Sequence, residues 1–145
     1  MDAWRPSASI AALKQRAQYI QSIREFFNQR HVTEVDTPIM ASHTVTCAHT
    51  DSLSLQYNNR HWFLQTSPEY HMKRLLAAGM GSIYQLFKAF RPEHGAWHNP
   101  EFTMLEWYRP GFSDVCMLDE IEALLQECFS CQTMQRFRYF DVFNA

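Results

Sequence analysis

The residues of this chain best suited to chemistry are concentrated between positions 67 and 108. Phe102, Met104, Glu106 and Tyr108 alternate along one stretch. In an extended strand alternate side chains share a face, so these lie together, with Glu101, Thr103, Leu105 and Trp107 on the other side. An acid flanked by a thioether and two rings can hold an ammonium group through charge and ring contact, and an aromatic further along can stack a planar base. The competing reading is a surface acid among half-buried aromatics. Arg91 precedes a loop bounded by Pro92 and Pro100 that carries Glu93, His94, His98 and Asn99. A planar guanidinium at a strand end suits bidentate phosphate binding, with imidazole and amide groups as weaker contacts. The plain alternative is a solvated hairpin tip. Ser67-Pro68-Glu69 adds a carboxylate near a helix start, where it meets an amino group or serves only the cap.

The elements that would position these groups follow from periodicity and punctuation. Ser7 or Ser9 caps a helix reaching about Arg30, with Ile10, Leu13, Ala17, Ile20, Ile23 and Phe27 on its apolar side. Val32 to Pro38 is a short β-rich segment stopped by proline. Residues 41–59 are polar and read as a loop with one weak strand near 53–57, and His61 to Gln65 is a firmer strand. Ser67-Pro68-Glu69 opens a helix with Met72, Leu75 and Leu76 inward, ended by Gly79 or Gly81. Ile83 to Arg91 and Glu101 to Arg109 form an antiparallel hairpin with a long tip. Ser113 caps a last helix with Val115, Leu118, Ile121, Leu125 and Cys128 along one side, before the chain frays near Arg136 to Phe140.

Composition narrows the function classes. A chain of 145 residues, 46% hydrophobic, buries the core of one domain or part of one. A net charge of -2 supplies no general attraction to nucleic acid, so any tRNA contact is local or absent. No secretion signal or run of about 18 apolar residues is present, which makes the cytoplasm the default compartment. There Cys47, Cys116, Cys128 and Cys131 are expected as free thiols, since Cys128-Phe129-Ser130-Cys131 lacks the second ligand pair of a zinc site. The seven histidines form no zinc-enzyme pattern, and the four glycines form neither a P-loop nor a dinucleotide turn. No serine or cysteine nucleophile has a recognisable frame.

Taken in order, these segments resemble the class II aminoacyl-tRNA synthetases of the aspartate, lysine and asparagine type. Val32-Thr33-Glu34-Val35-Asp36-Thr37-Pro38 after a long helix is similar to motif 1, which in that family forms the dimer interface. Phe90-Arg91-Pro92-Glu93 followed by His98-Asn99-Pro100-Glu101-Phe102-Thr103-Met104 is similar to motif 2 of the lysine branch. Thr66 to Leu75 and Leu105 to Pro110 narrow the resemblance to the short lysyl-tRNA synthetase paralogues that ligate lysine or (R)-β-lysine to elongation factor P. Only residues 1–31 precede the motif 1 similarity, where lysyl-tRNA synthetases carry an anticodon-binding OB domain. The expectation is therefore that 1–145 is the N-terminal part of a class II catalytic domain with no OB domain. Its implied fold is α+β, a class II antiparallel β-sheet flanked by helices, incomplete because motifs 1 and 2 are present and motif 3 is missing.

The resemblance also implies roles. Ser67, Pro68 and Glu69 would line the amino-acid site, with Glu69 on the α-amino group, and Glu106 and Tyr108 would complete the lysine pocket. Arg91 would contact the α-phosphate and the substrate carboxylate, and so be the catalytic residue. Pro92, Glu93 and Asn99 would line the ATP site, Glu93 reaching the adenine, and Phe102 would stack on the base. ATP is the implied co-substrate, with no metal ligands in this chain and Mg2+ held by the missing C-terminal part. The implied partners are lysine or (R)-β-lysine, elongation factor P and a second copy of the chain, without tRNA or membrane. A lysyl-tRNA synthetase fragment and a non-catalytic dimerising remnant are the alternatives. Pro92 stands where the family usually has asparagine, and the motif 2 loop is slightly shorter than usual. Without motif 3 the chain is expected to be inactive alone, and its exposed sheet edge to promote association.

Overall fold

The computed structural model describes residues 4–93 and 95–143. In chain order the elements are α1 (Ile10–Gln29), β1 (Thr33–Glu34), β2 (Met40–Ala41), β3 (Ser54–Tyr57), β4 (Arg60–Leu64), α2 (Glu69–Ala77), β5 (Ile83–Phe90), β6 (Glu101–Tyr108), α3 (Asp114–Phe129) and α4 (Tyr139–Phe143). They divide into two compact units, Arg30–Pro110 and the described parts of Met1–Gln29 with Gly111–Ala145.

The unit Arg30–Pro110 is organised by the β5–β6 hairpin, paired antiparallel without a break from Ile83↔Tyr108 to Phe90↔Glu101. Both strands fall within one residue of their expected ends. β5 is buried along most of its length, as Ile83, Tyr84, Phe87 and Ala89 require. One expectation needs correction: the sheet is not wholly antiparallel, because β1 joins the other edge of β5 in parallel, Thr33 opposite Ile83. A parallel pair needs a long crossover, and the whole of β2 to α2 provides it. The pairing stops after Glu34, and Pro38 follows without an N–H to donate. Tyr84 OH donates to Glu34 (3.0 Å), and buried Thr37 donates its hydroxyl to buried Gln85 (3.0 Å).

A second sheet, ordered β2-β4-β3, is antiparallel throughout. The strands expected near 53–57 and from His61 to Gln65 are both present, as β3 and β4, whereas the short β2 is unexpected; β3 and β4 form a hairpin closed by Asn58-Asn59. Both residues have positive φ (51° and 57°), the left-handed conformation of a two-residue turn that matches strand twist. Gln65 ties the two sheets: its N–H donates to the Ile39 carbonyl (2.8 Å), and its own carbonyl accepts from Phe90 N–H (3.0 Å).

α2 begins after Pro68 and ends as expected at Gly79, whose φ of +88° lets its N–H return to the Leu76 carbonyl (2.9 Å) while Met80 N–H returns to Leu75 (3.2 Å). Met72 is fully buried and joins Val35 and Ile83 in a core flanked by Leu75, Leu76 and Tyr108.

In the other unit Ser9 caps α1 (Ala12 N–H to Oγ, 3.1 Å) and Ser113 caps α3 (Cys116 N–H to Oγ, 3.2 Å). The helices meet through rings, Tyr19 and Phe129 lying 5.1 Å apart. Their buried stripes differ from expectation. On α1 only Ile23, Phe26 and Phe27 are buried, and Ile10 and Leu13 are exposed. On α3, Glu120, Leu124 and Cys128 are buried, and Val115 and Leu118 are exposed. Periodicity gives the direction of an apolar face, not how far along the axis a neighbour covers it. All four cysteines are free thiols. Arg136 reaches back to Asp119 (2.7 Å) and Glu122 (2.6 Å), and its bond to Glu122, followed by the bond that Met134 N–H donates to the same carboxylate (3.0 Å), holds the Glu122 carboxyl below its ordinary range.

Candidate active site

Two neighbouring residues of the loop leading into α2 connect the functional groups. The Thr66 carbonyl, buried with its side chain, accepts long contacts from Arg91 Nε and Nη2, both at 3.4 Å. The next residue, Ser67, donates its hydroxyl to Glu106 Oε2 at 2.9 Å and accepts from Glu69 N–H at 3.1 Å. The hydroxyl expected as a plain helix cap therefore holds the start of α2 and a carboxylate on β6 together. It does so from one position outside the cap, because Pro68 is the N-cap residue.

Glu106 accepts a second hydroxyl, Tyr108 OH donating to Oε1 at 2.6 Å. Tyr108 and Glu106 share a strand face as alternation requires, and the Tyr108 ring rests against the Val35, Met72 and Ile83 core. Burial, then the bond to Glu106, then the charges of Glu106 and Glu69 push the Tyr108 hydroxyl well above its ordinary pKa, so it stays a donor. Glu69 lies at the same place but is engaged by its own helix: Lys73 Nζ donates to Oε1 at 2.5 Å. That bond and the Glu69 charge raise the Lys73 pKa, and Glu106 adds to the effect. The field of the two carboxylates thus already favours an ammonium ion here.

Arg91 closes β5, fixed by its own N–H donating to the Pro100 carbonyl (3.0 Å) and by its guanidinium lying over the Phe102 ring at 5.3 Å. Of the five N–H donors of its side chain, only those turned to Thr66 are engaged among the described residues. Beside it opens a cleft of about 340 Å³ lined by Arg91, Glu93, Trp97, His98, Asn99 and Phe102. That volume is in the range of small-molecule sites, roughly 300–1,000 Å³.

The expected site residues therefore fall into two adjoining groups. Ser67, Glu69, Glu106 and Tyr108 form an acidic, hydroxyl-lined cluster, and Arg91, Glu93, Asn99 and Phe102 line the cleft. Pro68 is fully buried and Pro92 is exposed, and neither lines the cleft. His94 lies outside the described residues. Sequence reasoning missed Trp97, whose only signal was an aromatic among polar neighbours in a proline-bounded loop. It also missed Thr66, which acts through its carbonyl and so leaves no trace in residue type.

The family model for class II tRNA synthetases of the D, K and N type matches residues 1–140. The chain belongs to that family. Within it the chain is similar to the elongation factor P--(R)-beta-lysine ligase of Vibrio vulnificus (strain YJ016), at 52% identity over 147 aligned positions covering 97% of this chain and 46% of that protein. The proteins of the same name from Vibrio cholerae and Pseudoalteromonas translucida are 51% and 50% identical, each over 97% of this chain and 45% and 46% of their own lengths. The chain thus spans about half the length of the curated relatives it matches. No helix among the described residues is long and apolar enough to cross a membrane.

Proposed function

We propose that residues 1–145 are the N-terminal part of a class II catalytic domain that activates (R)-β-lysine or lysine with ATP and passes it to a lysine of elongation factor P. The observation that carries this reading is the adjacency of the two groups. Thr66 and Ser67, consecutive in the chain, tie a guanidinium with free donors to a carboxylate cluster that favours ammonium. An amino acid carries both complementary charges, and the relatives' printed name supplies the amine and the acceptor.

In this reading Glu69 and Glu106 hold the substrate's ammonium groups, with Ser67 and Tyr108 fixing Glu106, while the substrate carboxylate turns toward Arg91. Its oxygen attacks the α-phosphorus of ATP, the bond to pyrophosphate breaks, and the aminoacyl adenylate forms. The ε-amine of the acceptor lysine then attacks the acyl carbon, AMP leaves, and the amine's surplus proton passes to solvent. Arg91 stabilises the charge developing at phosphorus, which is electrostatic catalysis and forms no covalent enzyme intermediate. Glu93, Asn99 and Phe102 hold the nucleotide. In this reading the Mg2+ that accompanies ATP would take its ligands from the C-terminal part of the domain. The segment Val32 to Pro38 would pair two copies of the chain in a soluble, cytoplasmic homodimer without tRNA.

ATP-pyrophosphate exchange driven by lysine and by (R)-β-lysine tests the reading, with this chain alone and with it joined to the second half of a relative. Exchange in the joined protein, stronger with β-lysine, supports it. Charging of tRNA-Lys in place of elongation factor P would replace it with the tRNA-ligase reading, and no exchange in either form would leave a dimerising remnant.

A further inference from the structure

We propose that Trp97 is the base-covering side chain of the cleft, stacking on the purine of the bound nucleotide. The inference rests on the ATP reading of the same cleft. Trp97 sits at the apex of a turn closed by His98 N–H donating to the Gly95 carbonyl (3.2 Å), and it is 94% exposed. It is the most exposed of the large hydrophobic side chains described, yet it lines a cleft together with a cation and a second ring. Trp4 and the aromatic residues of α4 are also exposed, but they line none of the described cavities.

Phe102 alone does not complete a base site. The Arg91 guanidinium already lies over its ring, so one aromatic face is committed to the group that must also meet phosphate. Indole has the larger face and makes no ring contact among the described residues. A planar base entering between the turn and β6 would bury apolar surface that otherwise stays in water and gain a stacking partner. Stacking of this kind is tolerant of base identity, because every base presents a π face. Trp97 therefore adds affinity without choosing adenine, and discrimination is left to polar groups such as Glu93 and Asn99.

The experiment is calorimetric titration of ATP, GTP and lysine into the wild-type chain, Trp97→Leu and Trp97→Phe. The turn is exposed, so neither substitution disturbs a core. The expected result for Trp97→Leu is about tenfold weaker ATP binding, in the lower part of the range that loss of one stacked base brings, with GTP weakened by the same factor. Trp97→Phe restores most of the loss, and lysine binding is unchanged in both variants. Wild-type ATP affinity in Trp97→Leu overturns the inference while leaving the nucleotide cleft in place. Parallel weakening of ATP and lysine also overturns it, since that is the mark of a structural role. Absence of ATP binding by the wild-type chain rejects the cleft assignment and this inference together.

Discussion

Replacing Glu106 by glutamine would separate the two roles that this carboxylate combines. It accepts hydroxyl bonds from Ser67 at 2.9 Å and Tyr108 at 2.6 Å, one on each oxygen. Glutamine keeps the shape and one accepting oxygen but turns the other position into an NH2 donor, so one hydroxyl must rotate to accept instead. Bonds to a charged group contribute about 1.5–3 kcal/mol and neutral ones about 0.5–1.5 kcal/mol, so two downgraded bonds cost roughly 2 kcal/mol of folding stability. A substrate ammonium loses a charged partner outright, about 1.5–3 kcal/mol, or roughly 10- to 150-fold in Kd. Urea denaturation reads the first quantity and calorimetric titration of lysine the second. The Tyr108 pKa, followed by ultraviolet titration, falls toward its ordinary value but stays raised, because burial is its larger cause. Lysine affinity within about twofold of wild type, alongside the loss of stability, would show that Glu106 only braces the loop before α2 and would refute the amine-site reasoning.

Three other perturbations have defined outcomes. Because the folded pKa of Tyr108 is raised above its ordinary value of 10.0, its stabilising contribution is whole below pH 10 and is lost as pH climbs above that; denaturation midpoints at pH 9 and pH 11.5 should diverge more for wild type than for Tyr108→Phe. Glu122 has the opposite sign: its depressed pKa contributes stability above 4.5 that is lost as pH falls, and Arg136→Gln should move its carboxyl NMR titration upward. Gly79→Ala places a Cβ in open space but at a φ of +88°, so its cost, about 1–2 kcal/mol by thermal unfolding, is purely backbone strain; a neutral result would mean that the end of α2 relaxes out of its cap.

The parts of the fold legible in the sequence were those set by local chemistry: the Ser9 and Ser113 caps, the Gly79 stop and the long β5–β6 hairpin. Alternation alone put Phe102, Glu106 and Tyr108 on one face, and Arg91 at the end of β5 could be read from the proline that follows it. Distance in sequence hid the rest. The parallel pairing of β1 with β5 joins residues 50 positions apart, as Glu34 and Tyr84 illustrate. The Asn58-Asn59 turn lacks the glycine that usually signals such a hairpin. Glu69 was read for its charge, but its engagement with Lys73 depends on an i,i+4 reach along α2 that the expected role gave no reason to consider. Trp97 gave a residue type without a place, and only the cleft gives it one.

The unbroken register of β5 and β6 makes the hairpin a parity device. Side chains alternate faces with a period of two, so inserting or deleting one residue between Phe102 and Glu106 would turn over one end of β6 relative to the other, and Phe102 would no longer share a face with Glu106 and Tyr108. The tip between Phe90 and Glu101 lies outside that constraint. It can lengthen or shorten without turning either strand over, although Arg91, Glu93, Trp97, His98 and Asn99 within it line the cleft. Length changes at the tip can therefore take any number of residues, whereas those inside the paired strands survive only in twos.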